Sequence, residues 1–478
     1  MITERGGWFV PVFVACGCLP VPLDPIETDT SAAEATAGPS SSGDTSGGAP
    51  TSTGEGETTA GPVTGETTTT GTTAADDTST GPPAIDCTEL AIEDPVLLAE
   101  VRQQLDIPDG PISGDAALAV TGIYLAGEQG VSTLAGIECL QGLVVLSLWA
   151  TTVDDLAPLA SLTSLRNLTL LYSGVTDLGP LAGLALENLD MSGGAFVDLG
   201  VVTEMPTLTT LSFGETNVQD LTPLVGHPGL TGVYAFNTAP LDLLPLATIP
   251  NLGVLNLDEC GLTDIAALAG ATKLTQLHLN GNELVEIDAI GEMTELEKLW
   301  IDDNKITSVA PLGGLKALFD VRMDRNAVGD LGPLAGATAL EILLASENPL
   351  DGLDGLELLP LTWVRATNAG LKKMVAVAPT TLVSLELGGN EIVDVTPLAG
   401  HTALSGVRLD DNAITSLAPI VDAPWVVAGC VSLGVTGNPL DAVTLTDTVP
   451  AMCALNMAIQ WEQGQCEPEF GMCGNSDP

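Results

Sequence analysis

Three histidines, His227, His278 and His401, are the only imidazoles available for acid–base or metal chemistry, and no second ligand stands at a helpful spacing from any of them. A phosphate-cradling glycine loop, a His-Glu-x-x-His pair and a nucleophile elbow are all missing. Asp302-Asp303 and Asp410-Asp411 place carboxylates side by side at one register. Calcium wants about six to eight oxygens, so a solvated turn explains these pairs more simply. His227 and His401 share a loop register and read as solvated surface residues, whereas His278 lies on a strand and faces outward. The expectation is a protein that is not an enzyme, with no metal and no cofactor.

Residues suited to recognition are easier to find. Tyr234, Phe236, His278, Lys298, Trp300, Arg322, Arg325, Trp363, Arg365 and Arg408 stand at or beside outward positions of short strands. Aromatic and Arg side chains are what binding hot spots use. The same column begins with Ser147, Thr169, Asp190 and Ser212, and Trp149 flanks it. A plainer reading remains beside this one: long side chains can simply shield a sheet. Asp302, Asp324 and Asp410 stand next to the arginines as possible partners.

What positions these residues is a repeat. Blocks begin at Leu143, Leu165, Leu186, Leu208, Leu230, Leu252, Leu274, Leu296, Leu318, Leu340, Leu361, Leu382 and Leu404, about 22 residues apart. In the block from Leu296 to Ala317, Leu299-Trp300-Ile301 alternates in and out as a strand does. Asn304 then stands where the chain must turn, and a buried amide there can satisfy unpaired backbone groups. Ile306, Val309, Leu312 and Leu315 follow at steps of three, which suits a 3₁₀ coil. Asp155 before Pro158 and Ser308 before Pro311 are placed to cap that coil. One block cannot cover its own leucines, but stacked blocks can, each buried leucine contributing roughly 1.5–3 kcal/mol.

This pattern resembles the leucine-rich repeat, most closely that of bacterial internalins, and is similar to the protein phosphatase 1 regulatory-subunit type. The resemblance implies an α/β repeat solenoid: a horseshoe with a concave parallel β-sheet, convex 3₁₀ and loop segments, and helical caps at both ends. It also implies a protein or peptide ligand on the concave face. An irregular block precedes Leu143, with Val131, Leu134, Ile137 and Leu140. Before it, Leu97, Leu98, Val101 and Leu105 share one helical face, as a covering cap requires. Residues 447–462 are expected to form one covering helix at the other end. Asn occupies the turn position at 282, 304, 326, 348, 390, 412 and 438, but Thr151, Ser173, Gly194, Thr216, Thr238, Cys260 and Ala369 replace it elsewhere. Weaker protection of the N-terminal half follows.

Nine cysteines are present, none in CxxC spacing. Cys87 and Cys139 bracket the first cap and are the preferred disulfide. For Cys430, Cys453, Cys466 and Cys473 the simplest connectivity is Cys430–Cys453 with Cys466–Cys473, and two others remain open. Cys260 reads as a buried free thiol.

The N-terminus addresses location. Arg5 precedes a short apolar run from Trp8 to Ala15, and Phe13-Val14-Ala15-Cys16 looks like a bacterial lipobox with Cys16 as the lipidated residue; Cys18 is a second candidate. The tract from Glu27 to Pro83 is mostly Thr, Ser and Gly, without an aromatic residue, and reads as a solvated acidic tether. The organisation is therefore a signal over 1–18, a tether over 19–86, a cap and irregular repeat over 87–142, repeats over 143–440, and a C-terminal cap over 441–478. The 478 residues are 45% hydrophobic and only 3% aromatic, with a net charge of −49 that repels nucleic acid and anionic lipid surfaces. Five of the 13 Lys and Arg nevertheless lie at or beside the outward column. These features imply a monomeric binding protein of the bacterial envelope, touching membrane only through its lipid, or alternatively a secreted one. A carbohydrate- or envelope-polymer-binding protein using Trp300, Trp363 and Tyr234 is the alternative function.

Overall fold

The computed structural model describes residues 86–127, 130–238 and 241–466. The signal segment, Cys16, Cys18, the tether up to residue 85 and Cys473 lie outside them. No helix among the described residues is long and apolar enough to cross a membrane.

Each block contributes one short strand, and each strand pairs in parallel with the next along the chain, from Gly122–Ala126 to Ala458–Trp461. The register is residue for residue: Leu277 pairs with Leu299, and Leu299 with Val321. These central positions point inward and are fully buried, so one hydrophobic core runs the length of the described solenoid. Every block leaves its strand through a residue in the left-handed region, from Ala150 to Gly437. Most are not glycine, and Arg325 and Asp303 are among them. The chain then passes into 3₁₀ turns such as Ala310–Gly314, whose first N–H groups are capped: Asp155 accepts from Ala157 N at 2.8 Å and Ser308 from Ala310 N at 3.2 Å.

The asparagines form a ladder between blocks. Asn326 Nδ2 donates to Met323 O in its own block at 3.1 Å and to Ile301 O in the preceding block at 2.8 Å. Its Oδ1 accepts from Ile306 N at 3.0 Å. Asn282, Asn304, Asn348, Asn390, Asn412 and Asn438 repeat this arrangement. Where Ala369 interrupts it, its backbone carbonyl takes over and accepts from Leu350 N at 3.0 Å. The N-terminal blocks do less. Thr216 and Thr238 donate to Phe213 O, Cys260 Sγ reaches Ala235 O at 3.0 Å, and the buried hydroxyls of Thr151 and Ser173 have no partner among the described residues. A hydroxyl or thiol has one hydrogen to donate from its single polar atom, whereas an amide has two on nitrogen and accepts through a separate oxygen that reaches a different backbone group.

The helix Pro95–Leu105 covers the first block, with Leu97 and Val101 fully buried. Asp94 caps it through Oδ1, and Asp94 Oδ2 accepts from Ser132 N at 3.1 Å, which ties cap to solenoid. A Cys87–Cys139 disulfide closes the same end.

The other end corrects two expectations. Residues 447–462 are not one helix. A short helix, Val449–Cys453, gives way to the strand Ala458–Trp461, which extends the parallel sheet, and Gly464–Cys466 returns antiparallel to it. Met457 and Ile459 are fully buried while Gln460 is exposed, a period of two that the helical reading overlooked. Asn456, with φ of 65°, ends the helix before them. The disulfide here is Cys453–Cys466, so Cys430–Cys453 and Cys466–Cys473 do not form. It joins the helix to the return strand, an adjacency that exists only once the hairpin is in place. Cys430 is itself disulfide-bonded.

Candidate binding surface

The outward strand residues form one column. Tyr234, Asn256, His278, Trp300, Arg322, Leu344, Arg365, Glu386 and Arg408 stand side by side on successive strands. At its centre His278 stacks on Trp300, with ring centroids 4.1 Å apart and an interplanar angle of 14°. Arg322 covers the opposite side of the indole, 4.3 Å from the ring centroid. Burial in this stack, with Arg322 and Lys298 close by, pushes the His278 pKa down to about 4. The imidazole is therefore neutral near pH 7. Its Nε2 and the Trp300 Nε1 have no hydrogen-bond partner among the described residues.

Carboxylates neutralise most of the arginines. Arg322 makes a two-pronged contact with buried Asp320, at 3.2 and 3.1 Å. Arg365 pairs with buried Asp324, and Arg325 with Asp303. Arg325 stands at the left-handed turn beyond its strand, at the margin of the column. Lys298 makes no ion pair among the described residues and lies 5.7 Å from the Phe319 ring centroid. Trp363 donates its indole N–H to Glu386 at 3.1 Å. Tyr234 is half-buried, and burial raises its pKa. Phe236 lies over Gly214, where a side chain would collide with its ring.

Asp302 and Asp410 do not pair with arginines. Each accepts a backbone N–H from the next block: Asp302 from Asp324 N, at 2.6 Å, and Asp410 from Thr436 N, at 2.9 Å. Asp258, Asn280, Asp324 and Ser346 continue this second ladder. Its burial raises the pKa of Asp258 and of Asp302 to about 6, with Asp324 adding repulsion at Asp302. A carboxyl raised on folding contributes stability when protonated. That contribution is complete below the ordinary value of 3.8 and lost as pH rises through about 6. Asn280 shows that an amide can fill the position, since its Oδ1 accepts from Asp302 N at 2.8 Å. Asp302→Asn is therefore expected to raise the melting temperature at pH 7 and to lose this advantage at pH 4. The difference between variant and parent cancels His227 and His278, whose depressed pKa values act in the opposite direction. Parallel stability–pH curves for the two proteins would refute it.

His227 and His401 correct the expectation of solvated loops. Both are buried, each at the exit of a convex turn with its ring directed inward. Nε2 of His227 lies 3.1 Å from Met205 O, and Nε2 of His401 lies 2.8 Å from Val377 O, each carbonyl belonging to the preceding block. They join blocks, as the asparagines do on the other side. Burial lowers the His227 pKa. Cys260 is a buried free thiol.

Two exposed aromatic residues that the sequence reading did not single out, Tyr124 and Tyr172, lie in the first blocks. Trp149 is exposed as well, and the Tyr172 hydroxyl donates to Glu215 at 2.8 Å. Tyr124 belongs to the irregular block, where no repeat template aligns it with Ser147. Tyr172 stands at the left-handed turn, a position with no hydrophobic periodicity to mark it.

An open parallel sheet with one buried asparagine or its substitute per turn defines a leucine-rich-repeat solenoid. Residues 272–314 match the family described as leucine-rich repeats in two copies. Comparison with curated proteins finds no match. Among solved structures, an internalin from Listeria monocytogenes is 26% identical with a TM-score of 0.60, over 70% of this chain and 94% of that one. A leucine-rich-repeat protein of Leptospira interrogans is 16% identical with a TM-score of 0.61, over 73% and 97%. The functional domain of InlJ from Listeria monocytogenes, described as including a cysteine ladder, is 18% identical with a TM-score of 0.55, over 72% and 81%. These last two likenesses concern the fold alone. The chain has a leucine-rich-repeat solenoid fold with internalin-type structural neighbours.

Proposed function

We propose that this chain is a binding protein of the bacterial envelope that holds a protein or peptide ligand on its concave face. In this reading the cap and irregular repeat span 87–142, the repeats 143–440 and the C-terminal cap 441–478, presented on the tether over 19–86 after a signal over 1–18 and lipidated at Cys16. The observation that carries the reading is the His278–Trp300–Arg322 stack within one continuous outward column. Rigid, pre-stacked aromatic and guanidinium groups lose little entropy on binding and can bury large areas. The same stack weighs against sugar recognition at Trp300, because both faces of its indole are occupied.

The test is selection of a random peptide library against the full chain, in parallel with a glycan array. Removing Arg322 alone would strand buried Asp320, so the variant combines Trp300→Ala with the charge-neutral pair Asp320→Asn/Arg322→Gln. Selected peptides are expected to bind this variant at least about 100-fold more weakly, at an unchanged melting temperature. Peptides that bind both proteins equally, or array binding to glycans without any peptide selected, would overturn the proposal.

A further inference from the structure

The centre of the concave face already holds a guanidinium between a ring and a carboxylate. Arg322 lies over the Trp300 ring, 4.3 Å from its centroid, and forks onto Asp320 at 3.2 and 3.1 Å. Asp303 and Asp324 each hold an arginine of this chain as well. The N-terminal blocks present rings and carboxylates of the same kind but no guanidinium to go with them.

These parts meet at the left-handed turns that leave the strands. Tyr172, Gly193 and Glu215 occupy that one register in successive blocks. The Tyr172 ring lies over Gly193, where any side chain would collide with it, and its hydroxyl donates to Glu215 Oε1 at 2.8 Å. Phe236 comes from the opposite direction and lies over Gly214 in the same way. Gly193 N donates to Gly214 O at 2.8 Å, so the two rings rest on joined backbone, on either side of one carboxylate. Tyr172 and Glu215 are exposed, and Glu215 Oε2 has no partner among the described residues. The Glu215 hydrogen bond, burial and the charges of Glu215 and Asp190 raise the Tyr172 pKa, which places a second carboxylate near the same phenol.

No cation of the described residues completes this group. Before Lys273 they include only Arg102 and Arg166. Arg102 donates to Ile107 O and Gly110 O within the N-terminal cap, and Arg166 lies 3.8 Å from Glu187.

We infer that Tyr172, Glu215 and Phe236 form a docking site for an arginine side chain of the bound polypeptide. The inference rests on the concave-face reading and adds ligand chemistry to it: an arginine placed to meet the blocks from Leu165 to Leu230. Charge complementarity selects this occupant, since a carboxylate and ring faces attract a cation together. The planar guanidinium can stack on a ring and fork onto Glu215 at once, which a compact ammonium cannot do.

The experiment titrates the full chain calorimetrically, at about 0.15 M salt, with acetylated and amidated Gly-Arg-Gly-Arg-Gly. The matching citrulline and lysine peptides are controls. Saturable binding of the arginine peptide is expected, several-fold weaker binding of the lysine peptide, and none of the citrulline peptide. Tyr172→Leu and Glu215→Gln should each weaken the arginine peptide about fivefold at an unchanged melting temperature. Tyr172→Phe, which keeps the ring, should retain most of the affinity. Glu204→Gln removes an equal charge from an exposed convex position and should change it less than about twofold. Equal binding of the lysine peptide, or equal losses in Glu204→Gln and Glu215→Gln, would reduce the effect to general attraction by an acidic chain and overturn the site. So would a neutral glycan that binds through Tyr172 while the arginine peptide does not. The concave reading is tested apart from this by the selected peptides. Peptides that lose binding in the Trp300/Asp320/Arg322 variant but carry no arginine and ignore Glu215→Gln would leave that reading standing and remove this one.

Discussion

Asn326→Ala is expected to lower the unfolding free energy by about 2–4 kcal/mol, read from urea denaturation, while Thr216→Val at the same register costs about 1 kcal/mol or less. The asymmetry comes from what each side chain leaves behind. Without Asn326, the buried N–H of Ile306 loses the acceptor that the ladder provides. The carbonyls of Met323 and Ile301 fare better, because Asn348 and Asn304 also donate to them. Thr216 donates a single bond, to Phe213 O within its own block, and Thr238 also reaches that carbonyl. The amide is thus a staple between neighbouring blocks, whereas the threonine hydroxyl serves one. In a solenoid, stability is close to a sum of block terms and neighbour terms, so loss of a staple weakens cooperation as well as total stability. Amide exchange is accordingly expected to be faster in blocks before Cys260 than in those from Asn282 to Asn438. Uniform exchange along the solenoid, or equal losses for the two variants, would show that the ladder does not set the order of stability.

Replacing Cys87 and Cys139 with Ala together should cost about 4 kcal/mol, the chain-entropy value for a closure of this size. The two cysteines are 52 residues apart, and between them lie the covering helix Pro95–Leu105 and the strand Gly122–Ala126. Loss of the bond frees the ends of that segment in the unfolded state. In the folded state the helix remains tied by Asp94, which accepts from Ser132 N, and by the burial of Leu97 and Val101. The effect should therefore be local at first: rapid exchange and proteolytic cutting within residues 87–142 before the repeats respond. The double variant is a cleaner probe than reductant, which also opens Cys453–Cys466. A variant that melts and resists protease like the oxidised parent would show that packing alone closes this end.

Much of the fold was legible in the repeats. Leu299, Leu312 and Leu315 could be assigned to the interior because their spacing follows the strand and coil periods, and all are fully buried. The asparagine positions were legible for the same reason. The C-terminal cap was not, because Val449–Cys453 has helical neighbours while Met457–Ile459 carries a strand alternation too short to stand out. The buried histidines were missed because position in a loop says nothing about which way a ring turns. His227 and His401 point inward since a backbone carbonyl of the preceding block waits there.

For the candidate binding surface the division is sharper. Sequence by itself determined that Trp300, Arg322, Arg365 and Arg408 share an outward column, because alternation along a strand and a constant repeat length settle that without any knowledge of neighbours. Only the tertiary structure decided which of those charges remain available. Arg365 meets Asp324 across 41 residues, and Arg325 meets Asp303 across 22. Arg408 makes no ion pair among the described residues. A repeat period places backbones, but a long side chain chooses its partner from whatever the adjoining turns present, and that choice exists only after the turns have stacked.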